Sequence, residues 1–477
     1  MRLFVVAGRP AQLECAGSAA EVRAVVRSMT RAWSVVAEGC LAAAAFVVLC
    51  VLVLRASPYL PEPDDFAYRA SIVAMTHGHF FTLSGVQAHV LADQVAPRPG
   101  FVDPGGGPIQ WVRLAGGRWI SEKDPGYPYL AVAFQTLGII RLAPLFFGAL
   151  ACLGLYFGAK RWLGVLGGVA AVALFCSSGA AIEFAWRDYM PTFTDASLIA
   201  AGTGTLLRTL LATDATTKRR TWAGVAGFVA LGAATSARYT DIVILGGAVI
   251  AVLVAWRLPV ARLERSAVAW WFASVCGFCA GIATFNTLIY GGPLRSGYRP
   301  GEITFSLSAV SANLRLMPTH LIRAMPMLVL GLAGLASIVL RWLRARRAGD
   351  EHAAIARRDL AIGLALAACW AAIWSLYATY GWTALPGLST LQSVRFYVPA
   401  LGAMALLGAW LLVRMPRKRP LAAMTTVVVC ASLFWLGAQA FSDMYQSPFV
   451  IVHLRQADCQ GTIPTPWAGP SLCWSGT

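Results

Sequence analysis

Two adjacent aspartates, Asp64 and Asp65, lie a few residues after the first long apolar segment of the chain. They belong to the stretch 62–69, which reads EPDDFAYR. Carboxylates are costly to place in lipid, so at the end of a membrane span we expect them to face water, protein or a bound cation. A carboxylate within reach of an acceptor hydroxyl can act as a general base. The alternative is structural, because aspartate also caps the amino end of helices.

The same pair has a second possible chemistry, which is ligation of a divalent cation. Carboxylate oxygens suit Mg²⁺ or Mn²⁺, although two ligands do not establish a site. His77, His79 and His89 occur in the same loop without a fixed metal-binding spacing, and we interpret them as solvated or interfacial residues.

Cationic and hydrogen-bonding residues recur between the later apolar runs. An arginine at the membrane is expensive unless it is paired or hydrated, so several at one depth predict an anion site that suits a phosphate-bearing leaving group. Each one alone is better explained as an interfacial anchor. The candidate phosphate contacts are Lys123, Arg187, Arg238 and Arg395, and the candidate substrate contacts are Tyr68, Glu122, Tyr239, Arg295 and Tyr298.

The composition indicates a membrane protein with many spans. Hydrophobic residues make up 58% of the chain and charged residues 13%, against roughly 25% charged in ordinary soluble domains. The net charge is +17, and the lysines and arginines behind it occur in short clusters between apolar runs. Such clusters are typical of topology signals, and we exclude nucleic acid as a partner on this ground. Cys276 and Cys279 have CxxC spacing inside an apolar run, and no metal site is predicted from them.

The basic clusters also predict which side of the membrane each loop occupies. The first apolar segment is longer than the core of a secretory signal, so we predict an uncleaved span with a cytoplasmic amino end. By the positive-inside rule the basic loops are cytoplasmic. These loops are 160–161, 218–220, 257–265, 341–358 and 414–419. The outer segments are then 56–126, 183–191, 237–241, 290–320, 380–395 and the tail from 442.

This assignment predicts an all-α polytopic protein with about 11–13 transmembrane helices and helices at the outer surface. The predicted spans are 34–54, 142–159, 163–181, 192–212, 222–236, 242–256, 268–289, 322–342, 360–379, 396–413 and 420–441. The apolar piece 127–140 is short for a crossing, and we predict an interfacial or half-inserted helix there. Residues 66–81 have the periodicity of an amphipathic helix at the membrane surface, with Asp64 and Asp65 at its amino end.

The predicted organisation has three parts. Residues 1–33 form a cytoplasmic tail, 34–441 a transmembrane catalytic domain, and 442–477 an outer tail that contains Cys459 and Cys473. An oxidising compartment would let these two cysteines pair, and two free thiols are equally compatible with the sequence. The first outer loop, 56–126, is long enough that we expect it to be functional.

Four further motifs follow the acidic pair in a fixed order. They are the Lys-x-Pro-Gly-x-Pro run 123–128, the Arg-x-x-x-Pro-x-x-x-Asp run 187–195, the Gly-x-Pro-x-x-x-Gly-Tyr run 291–298 and the Arg-Phe-Tyr-x-Pro-Ala run 395–400. In this order the chain resembles the GT-C superfamily from Ser34 to Phe441. It is most similar to polyprenyl-phosphate-sugar transferases of the protein mannosyltransferase and aminoarabinose transferase type.

The resemblance implies an inverting glycosyltransferase that moves a sugar from a polyprenyl-phosphate donor to a glycan, lipid or protein acceptor of the cell envelope, on the outer face of the membrane. Asp64 or Asp65 matches the aspartate that serves as, or positions, the base. Lys123 matches a lysine that holds the donor phosphate, and Arg395 matches the arginine before a late span.

Two departures qualify this resemblance. The run 124–126 reads Asp-Pro-Gly where relatives often have two prolines, which bears on the position of Lys123. The chain also lacks a sizeable outer domain, which favours a small or lipid-borne acceptor.

A transporter or lipid flippase is the alternative function. Such proteins have ionisable residues in mid-span and broken helices in matching halves of the chain. Here the charges gather at the outer ends, and no duplicated half is visible. The two functions predict different positions for the charged residues. Convergence of Asp64, Lys123, Arg238 and Arg395 at one outer cavity favours the transferase, whereas acids along a midplane path favour transport.

Overall fold

A computed structural model describes residues 39–56, 62–95, 103, 105–212, 215–257, 263–299, 301–348, 353–385, 393–416 and 418–445. The predicted tail 1–33 and the cysteines Cys459 and Cys473 lie outside the described residues.

The described chain is almost entirely helical, with one small antiparallel hairpin. The helices are α1 (Gly39–Arg55), α2 (Pro63–Thr76), α3 (Gly85–Val95), α4 (Gly126–Thr136), α5 (Leu142–Leu163), α6 (Val165–Cys176), α7 (Gly179–Trp186), α8 (Thr192–Leu211), α9 (Thr217–Ala237), α10 (Ile242–Arg257), α11 (Arg265–Tyr290), α12 (Val310–Ala324), α13 (Met327–Ala348), α14 (Ala353–Ala378), α15 (Leu401–Arg414) and α16 (Arg419–Tyr445). The hairpin pairs β1 (Trp111–Arg113) with β2 (Trp119–Ser121), with Trp111 opposite Ser121.

Six of the described helices are long and apolar enough to cross a membrane. They are α5, α10 with the short turn before it, α11, α13, α14 and α16. A seventh crossing is formed if α6 and α7, which are bent by 62°, are counted as one span. The prediction of an all-α polytopic membrane protein is confirmed.

Every predicted span overlaps a helix, but the predicted span 163–181 is broken. It divides into α6 and α7 at Ser178, whose side chain accepts the Ala181 N–H at 3.0 Å. The break packs against α16, where a Cβ on Gly437 would overlap the Ser177 carbonyl. By contrast, α4 has 11 residues, fewer than the ~20 that a crossing needs, and this length agrees with the prediction that 127–140 does not cross.

The centre of the bundle is the packing of α5 against α8. A Cβ on Gly154 would lie 2.6 Å from the Ala201 carbonyl oxygen, and a Cβ on Gly204 would overlap the backbone of Gly154. Glycines on facing helices therefore let the two backbones approach closely, as is common between membrane helices. Most of α8 is buried even though it carries several polar side chains, so its position depends on its neighbours rather than on lipid.

A buried carboxylate joins three helices at the end of the bundle opposite the hairpin. Asp359 of α14 accepts the indole N–H of Trp162 in α5 at 2.9 Å and that of Trp410 in α15 at 3.1 Å. Arg358 lies 3.7 Å from the same carboxylate. Trp162 and Trp410 each lie beside one of the basic loops that the sequence places in the cytoplasm.

A layer of short elements covers α2. The hairpin, α3 and α4 pack around it, and Leu83 forms a bridge with Trp119. The aspartates lie in the first turn of α2 as predicted, but the prediction of an amphipathic surface helix is wrong. Every residue from Asp65 to Met75 is buried, because the first outer loop folds back over the face that was expected to reach solvent.

Candidate functional site

The amino end of α2 separates the two aspartates. Pro63 is the first helical residue and Glu62 the residue before the helix, and Asp65 Oδ2 accepts the backbone N–H of Glu62 at 3.1 Å. The structural alternative of helix capping therefore applies to Asp65. The Asp64 side chain takes no part in this cap and instead contacts Lys123 and Arg395.

Asp65 forms a buried ion pair with Arg187, which follows α7. The guanidinium contacts the carboxylate at 2.5 Å (Nη2 to Oδ2) and 3.2 Å (Nε to Oδ1), and both side chains are completely buried. Arg187 also lies 3.0 Å from Glu62 Oε2. Burial raises the pKa of Asp65 to about 6, although Arg187 opposes this shift. This pair ties α2 to the end of α7.

Asp64 lies between two other cations and remains 15% exposed. Its Oδ1 is 3.2 Å from Lys123 Nζ, and its Oδ2 is 2.8 Å from Arg395 Nη1. Burial alone would raise its pKa, but Lys123 and Arg395 outweigh burial and hold the pKa of Asp64 well below its usual range. Asp64 is therefore an ionised carboxylate at the rim of the site.

Lys123 follows β2 and is fixed by contacts on several sides. Its backbone N–H donates to Ser121 Oγ at 3.2 Å, and its Nζ lies 3.1 Å from Glu122 Oε1. The same ammonium group stands over the Tyr298 ring, 4.9 Å from the centroid. Burial raises the pKa of Glu122, which shares this ammonium group with Asp64.

The next residues hold this loop against the end of α9. Asp124 Oδ2 accepts the backbone N–H of Tyr239 at 3.0 Å, and burial raises the pKa of Asp124 to about 6. A Cβ on Gly126 would overlap the backbone of Ser236. Gly126 thus has a steric role, since it lets the loop approach α9.

Arg238 lies directly behind Arg395. Its Nη1 donates to the Arg395 carbonyl at 3.0 Å, its Nη2 donates to Thr192 Oγ1 at 2.8 Å, and its Nε lies 2.9 Å from Asp195 Oδ2. The four residues that these contacts bring together come from the predicted outer ends of α8 and α9 and from the segment before α15. Arg395 thus contacts Asp64 directly, and Arg238 forms a second layer of positive charge behind Arg395.

Arg395 itself has both ionic and aromatic partners. It donates to Glu62 as well as to Asp64. Its guanidinium lies 4.8 Å from the centroid of Trp382 and 4.7 Å from that of Phe396. The rings limit the motion of the side chain without neutralising its charge.

Of the remaining predicted substrate residues, Tyr68, Tyr239 and Tyr298 lie close to Lys123 and Asp124. Tyr68 is buried edge-to-face against Tyr127, with the ring centroids 6.0 Å apart. The Tyr239 hydroxyl donates to Asn286 Oδ1 at 3.0 Å. Gly297, beside Tyr298, packs so closely on Glu122 that a Cβ would overlap its backbone. Arg295 is exposed on the same loop, and no described ion pair includes it.

Sequence reasoning missed two residues of the site, Glu62 and Gln110, and one buried arginine outside it, Arg141. Glu62 accepts from both Arg187 and Arg395, and its place two residues before Asp64 was the only available signal. Gln110 hydrogen-bonds to Asp64 and has a left-handed backbone with φ of 58°, a conformation that costs a non-glycine residue about 1–2 kcal/mol. Arg141 donates to the carbonyls of Val53 (2.7 Å) and Ala56 (2.9 Å) at the end of α1.

The arrangement does not fit Mg²⁺ or Mn²⁺. The oxygens of Asp64 and Asp65 contact different cationic side chains, and the described part of the chain holds no group of three or more potential metal ligands. The histidines do not converge either, since His77 contacts the Val73 carbonyl and His79 contacts Gln87.

Comparison with known proteins shows the fold. No protein-family model and no curated protein matches the sequence. The structure is similar to the oligosaccharyltransferase of Archaeoglobus fulgidus, with a TM-score of 0.53 and 12% identity, over 85% of this chain and 56% of that chain. This chain therefore shares the fold of that protein and spans little more than half of its length.

Two structures of ArnT from Cupriavidus metallidurans are also similar. The apo structure has a TM-score of 0.49 and 17% identity, over 90% of this chain and 67% of that chain. The structure bound to undecaprenyl phosphate has a TM-score of 0.46 and 18% identity, over 89% of this chain and 66% of that chain.

Proposed function

We propose that this protein is an integral membrane inverting glycosyltransferase that moves a sugar from a polyprenyl-phosphate donor to an acceptor hydroxyl on the outer face of the membrane. The observation that carries the proposal is the contact of one partly exposed carboxylate, Asp64, with Lys123 and Arg395, with Arg238 directly behind them. A base and a set of cations at one point are the groups that displacement of a phosphate leaving group requires.

Asp64 is the base in this mechanism. It is ionised and partly exposed, whereas both oxygens of Asp65 are occupied by Arg187 and by the helix cap. The acceptor hydroxyl attacks the anomeric carbon, its proton passes to Asp64, and the bond to the phosphate oxygen breaks on the opposite side of the sugar. The stereochemistry at the anomeric carbon is inverted.

Donor binding would strengthen this base. Lys123 and Arg395 lower the basicity of Asp64 in the free site, and the same two cations are the nearest partners for a donor phosphate. A bound phosphate shares their charge, so the pKa of Asp64 rises towards its ordinary value when the donor is present. The carboxylate is thereby a better base in the complex than in the free protein.

Arg187 and Asp65 act as positioning residues in this proposal. The buried pair fixes the first turn of α2, and Arg187 reaches Glu62, which also accepts from Arg395. We propose that Arg187 acts on the donor phosphate only through this chain of contacts. Tyr298 and Glu122 limit the position of Lys123 on the other side.

The fold is compatible with this activity. The Archaeoglobus fulgidus protein named above is an oligosaccharyltransferase, so the same fold supports transfer of a glycan in that protein. The likeness covers 56% of that chain, which leaves the donor, the sugar and the acceptor of the present chain as proposals.

Transfer of a radiolabelled sugar from a panel of synthetic polyprenyl-phosphate sugars, in purified protein in lipid vesicles, tests the proposal. We expect Asp64→Asn to lower kcat by about 10²–10⁴-fold, the usual contribution of a general base. Asp103→Asn is the matched control, because Asp103 also has a side chain 15% exposed and an arginine partner, Arg299, at 3.0 Å.

Asp65→Asn separates the two aspartates in the same assay. The amide keeps an acceptor for the Glu62 N–H but loses the charge that pairs with Arg187, so we expect a lower melting temperature and a smaller loss of kcat than in Asp64→Asn. Equal transfer by wild type and Asp64→Asn would overturn the role of Asp64. Absence of transfer from every donor by folded wild type would overturn the proposed function.

A further inference from the structure

The described ion pairs around Asp64 form one unbranched chain in which acids and cations alternate. Both ends of the chain are carboxylates, so four acids share three cations. In order, the members are Glu122, Lys123, Asp64, Arg395, Glu62, Arg187 and Asp65. When every group is ionised, the chain therefore carries an excess of one negative charge.

This excess opposes the binding of a phosphate. A phosphodiester donor brings another negative charge to Lys123 and Arg395, and each of these cations already contacts two carboxylates. The second layer adds no net positive charge, because Arg238 pairs with Asp195. Like charges in a buried site disfavour one another, and an acid in such a site is neutralised by a proton. One carboxylate of the chain must therefore be neutral when the donor is bound.

The ends of the chain are easier to neutralise than its middle. The two middle acids each contact two cations, whereas Glu122 and Asp65 each contact one. Asp65 is held by two contacts with Arg187 and by the backbone N–H of Glu62. Glu122 contacts Lys123 through one oxygen, at 3.1 Å. Protonation therefore removes fewer contacts from Glu122 than from any other acid of the chain.

The surroundings of Glu122 also favour its neutral form. The residue is 4% exposed, and burial raises its pKa although Lys123 opposes this shift. The titratable groups that face it from other elements are Asp64, Glu302, Tyr290 and Tyr298. Two of these are carboxylates, and two are phenols that stay neutral at physiological pH. Among the described ion pairs, the contact with Lys123 is thus the one that keeps Glu122 ionised.

A bound phosphate weakens this contact. The phosphate shares the charge of Lys123, so the pKa of both acids that touch Lys123 rises. The pKa of Asp64 starts well below its usual range, whereas the pKa of Glu122 is already raised in the free protein. The proton therefore goes to Glu122, and Asp64 stays ionised as a base must.

We propose that binding of the donor phosphate is coupled to the uptake of one proton by Glu122. The proton comes from solvent, and the neutral carboxylic acid releases the Lys123 ammonium group to the phosphate. The charge of the ion-pair chain with its ligand is then the same as that of the empty chain. This inference rests on the proposed function, since it names the group that regulates occupancy of the same phosphate site.

Binding of farnesyl methyl phosphate at a series of pH values tests the coupling without turnover. This diester has no sugar to transfer and keeps one negative charge, whereas a phosphate monoester changes its charge near about pH 6. Isothermal titration calorimetry of wild-type protein in lipid nanodiscs gives Kd, with empty nanodiscs as the blank. Above the pKa of Glu122 in the free protein, we expect Kd to rise by up to about tenfold per pH unit, the slope for uptake of one proton.

The same calorimetry counts the protons directly. At one pH, the binding enthalpy is measured in buffers that differ in their enthalpy of ionisation, and its slope against that enthalpy gives the number of protons taken up per ligand. We expect a number that approaches one in wild type. This measurement needs no variant, so it tests the coupling even if a substitution at the buried Glu122 prevents folding.

Two glutamine variants provide a matched pair. Glu122→Gln keeps the size of the side chain and cannot be ionised, so we expect the same Kd at every pH, equal to that of wild type at low pH. Glu302→Gln is the control, because Glu302 also faces Glu122 but is exposed and accepts the backbone N–H of Arg299 at 3.0 Å. It should keep the pH dependence of wild type.

Three results would overturn the inference: a proton count of zero in wild type, an unchanged pH dependence in Glu122→Gln, or loss of the pH dependence in Glu302→Gln. Failure here is distinguishable from failure of the proposed function. Binding without proton uptake would remove the role of Glu122 and leave the phosphate site intact. Absence of binding by folded wild type at every pH would remove the phosphate site, and the proposed function with it.

Discussion

Adjacent side chains on a helix point about 100° apart, and this angle gives Asp64 and Asp65 opposite environments. Asp65 points inward to Arg187, and Asp64 points to Lys123 and Arg395. The sequence identified both residues as candidates but could not rank them, because their neighbours in the chain are the same. The residues that distinguish them are remote: Arg187 lies 122 positions from Asp65.

A buried carboxylate that does not touch the proposed base should make stability depend on pH. The pKa of Asp124 is raised to about 6 by burial, against 3.8 for an ordinary aspartate. A folded-state pKa above the unfolded one means that the folded protein binds more protons between these values, so stability falls as pH rises through them and is level above about 6. Lys123 and Arg238 oppose this effect but do not cancel it.

Asp124→Asn should remove this dependence. The amide oxygen can still accept the Tyr239 N–H, and no charge is left to be buried. We expect the variant to gain stability relative to wild type as pH rises through 6, by roughly 1–3 kcal/mol above that pH. Thermal unfolding in lipid vesicles at a series of pH values measures the gap, and the most acidic samples are the internal control. A gap that does not change with pH would contradict the assignment.

At the scale of elements, the site depends on short segments that pack over α2. The turn after β2 supplies Lys123, the end of α9 supplies Arg238, and the loop 291–299 covers Glu122 through Gly297. None of these segments is a membrane span: the end of α9 adjoins α10 and the loop 291–299 follows α11, whereas the turn after β2 leads into the short helix α4. The spans position the site, and the loops between them form it.

Gly297→Ala should disturb the site without touching its charges. The added Cβ would overlap the Glu122 backbone, so the loop must move and the Tyr298 ring must shift from the Lys123 ammonium group. Displacements of about 1 Å near a reacting group can lower rates up to ~100-fold, and we expect a 10–100-fold loss of sugar transfer.

Gly277→Ala is the matched control for this loop variant. Gly277 lies within α11, and a Cβ there would meet no atom within 4 Å. We expect normal transfer, because alanine is favourable inside a helix. If both alanine variants transferred sugar at the wild-type rate, the close approach of the 291–299 loop would have no role in catalysis.

The elements also show where prediction from the sequence succeeds. Long apolar runs predicted the helices, because the length and composition of a run can be read from the sequence without knowing what packs against it. The burial of α2 was not predictable in this way, since its cover comes from α3, the hairpin and α4, and the helical periodicity of 66–81 does not reveal a second layer. The break between α6 and α7 was missed for a similar reason. The Ser177 carbonyl at this break packs closely against Gly437 of α16, which is remote in the sequence.

On the scale of the whole molecule, two polar networks lie at opposite ends of the helical bundle. One surrounds Asp64 and collects Lys123, Arg395 and Arg238 from segments that the sequence assigns to the outer side. The other surrounds Asp359 and collects Trp162 and Trp410, which adjoin basic loops. The alternation of basic loops predicts the side of the membrane on which each group lies, but it does not predict contacts such as that of Glu62 with Arg395, 333 positions apart.

The basic loops further predict that the Asp64 end faces away from the cytoplasm, and a pair of cysteine variants tests this orientation. Leu294 is 97% exposed on the loop that packs against Glu122, and Met415 is 62% exposed within the basic loop after α15. Neither residue carries charge, so replacing either with cysteine leaves the topology signals intact. Each variant is compared with the parent chain to subtract labelling of native cysteines.

We expect a membrane-impermeant maleimide to label Leu294→Cys on intact cells and to label Met415→Cys only after the membrane is permeabilised. A lipid-linked sugar on the outer leaflet would then meet Asp64 directly, as the proposed transfer requires. The reverse pattern would place Asp64, Lys123 and Arg395 in the cytoplasm. In that orientation the proposal of transfer on the outer face would fail, even if the catalytic geometry were correct.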